Sequence, residues 1–380
     1  MTPTNTAAWL KARNSRPLVV GPAPYTPPGP NQVVVRNHAV AINPVDWSLQ
    51  VLGQFVLTFI KYPMVPGGDL SGEVVEVGKD VTTLQVGDRV MALGGGMAPD
   101  MVSHAAAQSE GAFQQYTVVH PLLAAKIPDW MSFADASVLP LTLATAAYGL
   151  FHPDFLALEL PTVPPRPLTS SSKKLLVTGG ASSVGCNGIQ LAFQAGYQVY
   201  ATASPKNFEY VKSLGATAVF DYRSKTIQDD LVAVLKEGEV MGALAVGDGA
   251  VELCMKVLAR IPGSRRFVAM AGSVMVPPKV ATFVGKTSFI ASALWQGMRM
   301  NAAGRSTGVT TKFVDTKDLL QENCVVGRDV FGTFLPKALA ARQYVTAPRT
   351  RVAGHGLEAV QAAMDLQRNG VSAEKVVVTL

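Results

Sequence analysis

The chain has 380 residues, more than the ~250–300 at which a single hydrophobic core stops growing, so two domains are expected. Hydrophobic residues make up 48% and charged residues 16%, which excludes a disordered tail or a coiled coil as the main content. The net charge of +6 leaves room for an anionic ligand. No Lys/Arg run of about five or more marks a nucleic-acid surface. No apolar stretch is expected to reach the ~18 residues of a membrane helix, because the longest candidate, 51–60, is interrupted by Gln54. Cys186, Cys254 and Cys324 lie far apart, which argues against a disulfide framework and a cysteine-rich metal site. With no apolar segment near Met1, a cytoplasmic, reducing location is the expectation.

The first 130 or so residues read as β-rich. Gln32–Val40 is a strand of β-branched residues after a proline turn, and Leu70–Val77 is a second, closed by Gly78-Lys79-Asp80. Val86-Gly87-Asp88-Arg89-Val90 places a turn before a third. Alanine and leucine then dominate 133–150, which predicts helix over 133–138 and 141–150. The proline- and serine-rich segment 152–172 is expected to be an exposed loop. From Lys173 the pattern turns to β-α-β-α, with strands at 174–178, 198–203, 218–220, 243–246 and 266–270. A helix is read over 189–195 and another over 207–214. This alternation implies a parallel sheet with right-handed crossovers. Helices at 337–342 and 356–368 and a lone strand at 375–380 close the chain.

The strongest local signal runs from Leu175 to Gly185: an apolar strand, then Gly179-Gly180-Ala181-Ser182-Ser183-Val184-Gly185 opening a helix. Small residues there let a pyrophosphate approach the backbone, and the amides at the helix N-terminus face its charge. A tight turn holding no ligand would look the same locally. The next strand ends in Ala203-Ser204-Pro205-Lys206-Asn207, without the acid that binds a ribose 2′-hydroxyl. Ser204 can bond a 2′-phosphate and Lys206 supplies charge, which points to NADPH. Ser204 could equally cap the following helix.

Several blocks resemble the medium-chain dehydrogenase/reductase superfamily across nearly the whole chain. Asn43-Pro44-Val45-Asp46-Trp47 is similar to the element of its zinc-free quinone and enoyl reductase branches. Pro66 to Val74, Gly87 to Val90 and Leu139 to Tyr148 are similar to further family blocks in the family's order, and Ala203–Phe208 with Phe220–Arg223 is close to fungal trans-acting enoyl reductases. The resemblance implies an α/β fold: a Rossmann doubly wound parallel sheet (135–320) with a GroES-like β-barrel domain made of 1–134 and 321–380. It implies cofactor contacts at Pro44, Thr145, Gly180 to Gly185, Ser204, Lys206, Tyr222, Val246, Gly247, Ala271 and Gly272. Zinc-dependent relatives carry Cys where this chain has Asn43 and His where it has Gly68. The five histidines show no ligand spacing, so no metal is expected.

What remains is hydride transfer from NADPH to an activated C=C in an enone, quinone or enoyl thioester, of the kind used in fungal secondary metabolism. Phe55 stands near the family's usual proton-donating Tyr and cannot donate. Asn43, Asp46 and Tyr62 are the candidate catalytic residues; Asp46 could instead bond amides in its own loop. Segments 95–110 and 274–330 are expected to line the pocket or a dimer face. The expected partners are a small-molecule or carrier-bound enoyl substrate, with neither nucleic acid nor membrane, in a monomer or homodimer. Two readings compete: a non-redox member of the fold acting as sensor, partner or rearrangement catalyst, and an RNA-binding relative suggested by the pI near 9.2.

Overall fold

The computed structural model describes residues 3–53, 61–95, 106–272, 297, 302–316 and 318–380. An N-terminal hairpin, β1 (Asn5–Trp9) and β2 (Val19–Ala23), leads into a sheet containing β3 (Val33–Ala41), β4 (Asp69–Val77), β5 (Arg89–Leu93), β6 (Tyr116–Val119) and β7 (Ala124–Lys126). Helix α1 (Pro44–Leu52) links β3 towards β4, and the short α2 (Ala106–Ser109) precedes β6. Val33, Val35, Leu70, Val74, Val90 and Ala92 pack one core from these strands. The period-2 alternation of β-structure puts them on one face.

Two helices follow, α3 (Phe133–Ala136) and α4 (Pro140–Phe151). The sequence predicted both, over 133–138 and 141–150. Pro140 lacks an N–H and opens the second helix rather than continuing the first. The whole 133–151 stretch also corrects the expectation that nothing is long and apolar enough to cross a membrane. It passes on length and composition, but 72% of its most apolar window is buried inside the fold, as in a core helix.

The second sheet is parallel, with β8 (Lys174–Val177), β9 (Gln198–Ala203), β10 (Ala216–Asp221), β11 (Val240–Ala245), β12 (Phe267–Met270) and β13 (Thr310–Phe313) in the order β10-β9-β8-β11-β12-β13. The chain starts at β8, runs outward to β10 and crosses back to β11. The switch point therefore lies between β8 and β11, where open α/β sheets bind ligands. Helix α5 (Ser183–Gln194) covers one face with α4, while α7 (Ile227–Leu235) and α8 (Ala250–Ala259) cover the other; α6 (Phe208–Ser213) joins β9 to β10. β8 serves both cores: Leu175 and Val177 point to the first, Leu176 to the second.

β14 (Arg349–His355) and β15 (Glu374–Thr379) return to the first sheet, in the order β14-β15-β3-β4-β5-β7, with Val377 opposite Ala41. Three other readings change. α5 starts at Ser183, six residues before the helix read from sequence at Ile189. The segment 152–172 has no regular structure but is not simply exposed: Phe155, Leu156 and Leu158 are buried, and Arg265 donates to the carbonyls of Phe155 and Leu156. The strand β13 and a π-helix at Val326–Phe334 had no clear sequence signal.

Candidate active site

The carboxyl edge of the parallel sheet gathers most of the residues singled out from sequence. After β8, Thr178 Oγ1 donates to Val246 O (3.1 Å) and accepts from Val246 N (2.8 Å), tying the loops after β8 and β11 together. Gly179 has φ +59°, and a Cβ there would lie 2.6 Å from Val246 O. A Cβ on Gly185 would lie 2.2 Å from Gly179 O. Only glycine fits either place. Gly180 N donates to Thr202 O (2.8 Å). Ser182 caps α5, its Oγ accepting from Gly185 N at 3.1 Å, and Ala181 to Val184 remain half-buried. The first-turn amides of α5 thus sit at a surface an anion can reach.

Two other loops flank this turn. Ala203 pairs in register with Asp221, which puts Ser204 beside Tyr222. Ser204 is half-buried and its Oγ accepts from Asn207 Nδ2 (3.1 Å), leaving its own hydrogen free to donate; it begins a 3₁₀ turn without capping it. Lys206 is exposed, and Tyr222 is 48% exposed with Arg223 Nε donating to its hydroxyl (3.1 Å). On the other side, Gly247 (φ +105°) and Gly249 (φ +69°) have nothing within 4 Å of an added Cβ, and one on Gly272 would come 3.7 Å from Gly247 N. Ala271 is fixed by its amide to Ala245 O (2.9 Å). Among the described residues, Gly247, Gly249 and Gly272 therefore leave the backbone beside the glycine turn uncovered, which a dinucleotide could approach.

Thr145 lies on α4, half-buried, with Oγ1 donating to Leu141 O (2.8 Å). Asn43 caps α1 in a cluster joining three distant segments. Its Nδ2 donates to Asp69 Oδ2 (2.8 Å), its Oδ1 accepts from Lys375 Nζ (2.5 Å), and Asp69 Oδ1 accepts from Leu141 N (2.6 Å). Asn43, Asp46, Asp69 and Lys375 are all buried, and Pro44 beside Asn43 is half-buried.

The comparisons with known proteins agree with this geometry. Residues 29–129 match the family "alcohol dehydrogenase GroES-like domain". Dehydrogenase pigH of Monascus ruber is 46% identical over 100% of this chain and 100% of its own length. Trans-enoyl reductase himH of Aspergillus japonicus is 35% identical over 99% of this chain and 97% of its own. The chain belongs to the medium-chain dehydrogenase/reductase superfamily. The crystal structure of CurK enoyl reductase covers 99% of both chains at TM-score 0.71 and 21% identity, so the likeness there is of fold: a GroES-like β-barrel domain and a Rossmann sheet. The enzyme is an oxidoreductase of this superfamily, whose cofactor is a nicotinamide dinucleotide.

The three catalytic candidates fare differently. Asp46 is the third residue of α1 and its Oδ2 accepts from Asn43 N (2.6 Å), closing a capping box. Burial, with Asp69 nearby, pushes its carboxyl up to about 8 against the opposing amide bond and Lys375, and Oδ1 is buried without a partner. Asp46 is thus a neutral acid at pH 7, sealed in the loop it braces. The hydroxyl of Tyr62 lies 2.9 Å from where a Cβ on Gly53 would stand, at the C-terminal end of the nine-residue α1. Gly53 is ten residues from Asn43, about 15 Å at 1.5 Å per residue, so the structure does not bring Tyr62 and Asn43 together. Phe55 lies outside the described residues, as do 96–105, 273–296, 298–301 and 317 of the segments expected to line a pocket or dimer face. What is described there includes a cavity of about 20 Å³ lined by Gln32, Leu93, Gly95, Glu110, His120, Leu123 and Leu320. Burial pushes the Glu110 carboxyl up to about 7 and lowers the imidazole pKa of His120.

Sequence reasoning missed Asp69, Lys375 and Arg223 as site residues. Arg223 had a local signal, a cation directly after Tyr222. Lys375 had none, since its partners lie near the other end of the chain. Among the described residues no group of three or more His, Cys, Asp and Glu could hold a metal ion.

Proposed function

We propose that the enzyme reduces an electron-poor carbon–carbon double bond with NADPH and without zinc, in an enone, a quinone or an enoyl thioester on a small molecule or a carrier. The observation that carries NADPH is the end of β9, where Ser204 offers a hydroxyl hydrogen, Lys206 an exposed ammonium, and Arg223 a guanidinium from the neighbouring strand. A 2′-phosphate takes charge-assisted bonds from such a set, and residues 202–208 supply no carboxylate for a free 2′-hydroxyl. A double bond as substrate is supported by relatives named trans-enoyl reductases.

The residues at the family's metal position suit zinc badly. Gly68 has no side chain, and the Asn43 carboxamide is taken up between Asp69 and an ammonium, whose charge repels a second cation.

When bound, NADPH supplies a hydride, which the β-carbon of the acceptor receives as its π bond opens. Ala181 to Val184 and the start of α5 would hold the pyrophosphate. Pro44, Thr145, Gly247 and Gly272 would wall the nicotinamide, the glycines admitting a close approach. The α-carbon then takes one proton from water, since Asp46 is sealed and Tyr62 lies at the far end of α1. The purified protein should oxidise NADPH with enoyl thioesters, enones or quinones, and at least about tenfold less efficiently with NADH. A folded, NADPH-binding protein inert to all three classes would overturn the proposal.

A further inference from the structure

The last strand, β15, contributes nothing to the nucleotide-binding edge, yet its Lys375 is only 4% exposed and reaches the middle of the molecule. Its ammonium donates to Asn43 Oδ1 and pairs with Asp69 Oδ2 at 2.8 Å. Asp69 Oδ1 holds Leu141 N in the first turn of α4. One turn on, Thr145 returns to Leu141 O. Beside it, Thr142 Oγ1 accepts from Asn187 Nδ2 (3.2 Å), which also donates to Ser183 O (2.9 Å). Tyr344 Oη fixes the other end of that amide by donating to Asn187 Oδ1 (2.6 Å). A continuous polar chain thus runs from β15, through the starts of α1 and α4, to the first turn of α5.

The ion pair is a poor way merely to glue the lobes. Burying two charges costs desolvation that their attraction at best roughly offsets, and apolar residues of similar size would serve as well. What fixed, charge-assisted bonds supply instead is direction. One oxygen of Asp69 faces α4 and the other faces Asn43 and Lys375, so α4 cannot shift along α1 without breaking a bond to a buried charge. The residues this chain places are Pro44, Thr145 and Ser183, all half-buried.

We infer that Lys375 is a positioning residue: by anchoring Asn43 and Asp69 it holds Pro44 and Thr145 in register with the glycine turn, so that the nicotinamide half of the cofactor meets the acceptor in one geometry. This rests on the reductase reading above.

The test compares wild type with Lys375→Met and with the double variant Asp69→Asn/Lys375→Met. Lys375→Met alone strands a buried carboxylate and should lower Tm. The double variant is neutral and should melt near wild type. In the folded double variant, affinity for 2′,5′-ADP, which lacks the nicotinamide half, should stay within about twofold. Affinity for NADPH and kcat should each fall at least about tenfold. A double variant with wild-type Tm, NADPH affinity and kcat would make the cluster purely structural and overturn the inference. So would one that never regains its Tm, since the cluster would then be needed to hold the fold. A wild type that binds both nucleotides but reduces no double bond would sink the reductase reading alone, and the ratio of the two affinities would still decide the role of Lys375. A wild type that binds neither would overturn both.

Discussion

Lys206 and Arg223 stand on neighbouring loops at the end of β9 and β10, and each should matter only to the phosphate that separates NADPH from NADH. Lys206→Ala and Arg223→Ala should each weaken NADPH binding about tenfold and leave NADH binding unchanged, measured by nicotinamide fluorescence. Equal losses for both nucleotides would place the 2′-phosphate elsewhere. Asp46 makes a different prediction. A free aspartate ionises near pH ~4, whereas burial holds this one protonated up to about 8. Below pH ~4 the acid is neutral folded or unfolded. Between there and about pH 8 only the unfolded chain ionises, so stability falls as pH rises, then levels off. Asp46→Asn keeps an acceptor for Asn43 N and cannot ionise. Its Tm advantage over wild type should therefore grow from pH 5 to pH 8; a pH-independent difference would contradict the assignment. Ser204 and Lys206 drew notice from sequence because a missing acid shows in one strand end. Asp69 and Lys375 did not, because an ion pair across the chain leaves no local pattern.

The glycine turn is the element on which cofactor binding depends most. Gly185→Ala drives a methyl to 2.2 Å from a backbone oxygen that cannot move without opening the turn. It should cut NADPH affinity well over tenfold, by titration, while the barrel's spectroscopic signature stays intact. That turn was readable because strand, small residues and helix follow one another in sequence. The 152–172 segment was misread for the complementary reason. Its prolines mark a loop correctly, but burial there comes from Phe155 and Leu156 meeting Arg265 and Phe267, far along the chain. Phe155→Ala should accordingly cost about 3–5 kcal/mol in chemical denaturation, as a core phenylalanine would, against a few tenths for a loop residue. The break at Pro140 was legible, because the alanine- and leucine-rich runs 133–138 and 141–150 stop on either side of it. β13 and the π-helix owe their conformation to neighbours rather than to periodicity.

At the scale of the molecule, the two sheets were legible from the change between period-2 and β-α alternation. The return of the tail was implied by the family resemblance, which a lone apolar strand fitted, and appears as β15 paired to β3. Less visible was how the sheets are joined: α4 packs on the parallel sheet while its first turn is held by Asp69 of the barrel, so one helix ties the two sheets together. Under the proposed metal-free reduction, hydride transfer is then a matter of placement. The most direct measurement is turnover of an enoyl thioester with NADPH carrying two deuterons at nicotinamide C4, the product being read by mass and by NMR. The account predicts one deuterium at the β-carbon and a proton from solvent at the α-carbon. A product deuterated at a reduced carbonyl carbon, or a reduced product with no deuterium at all, would contradict it.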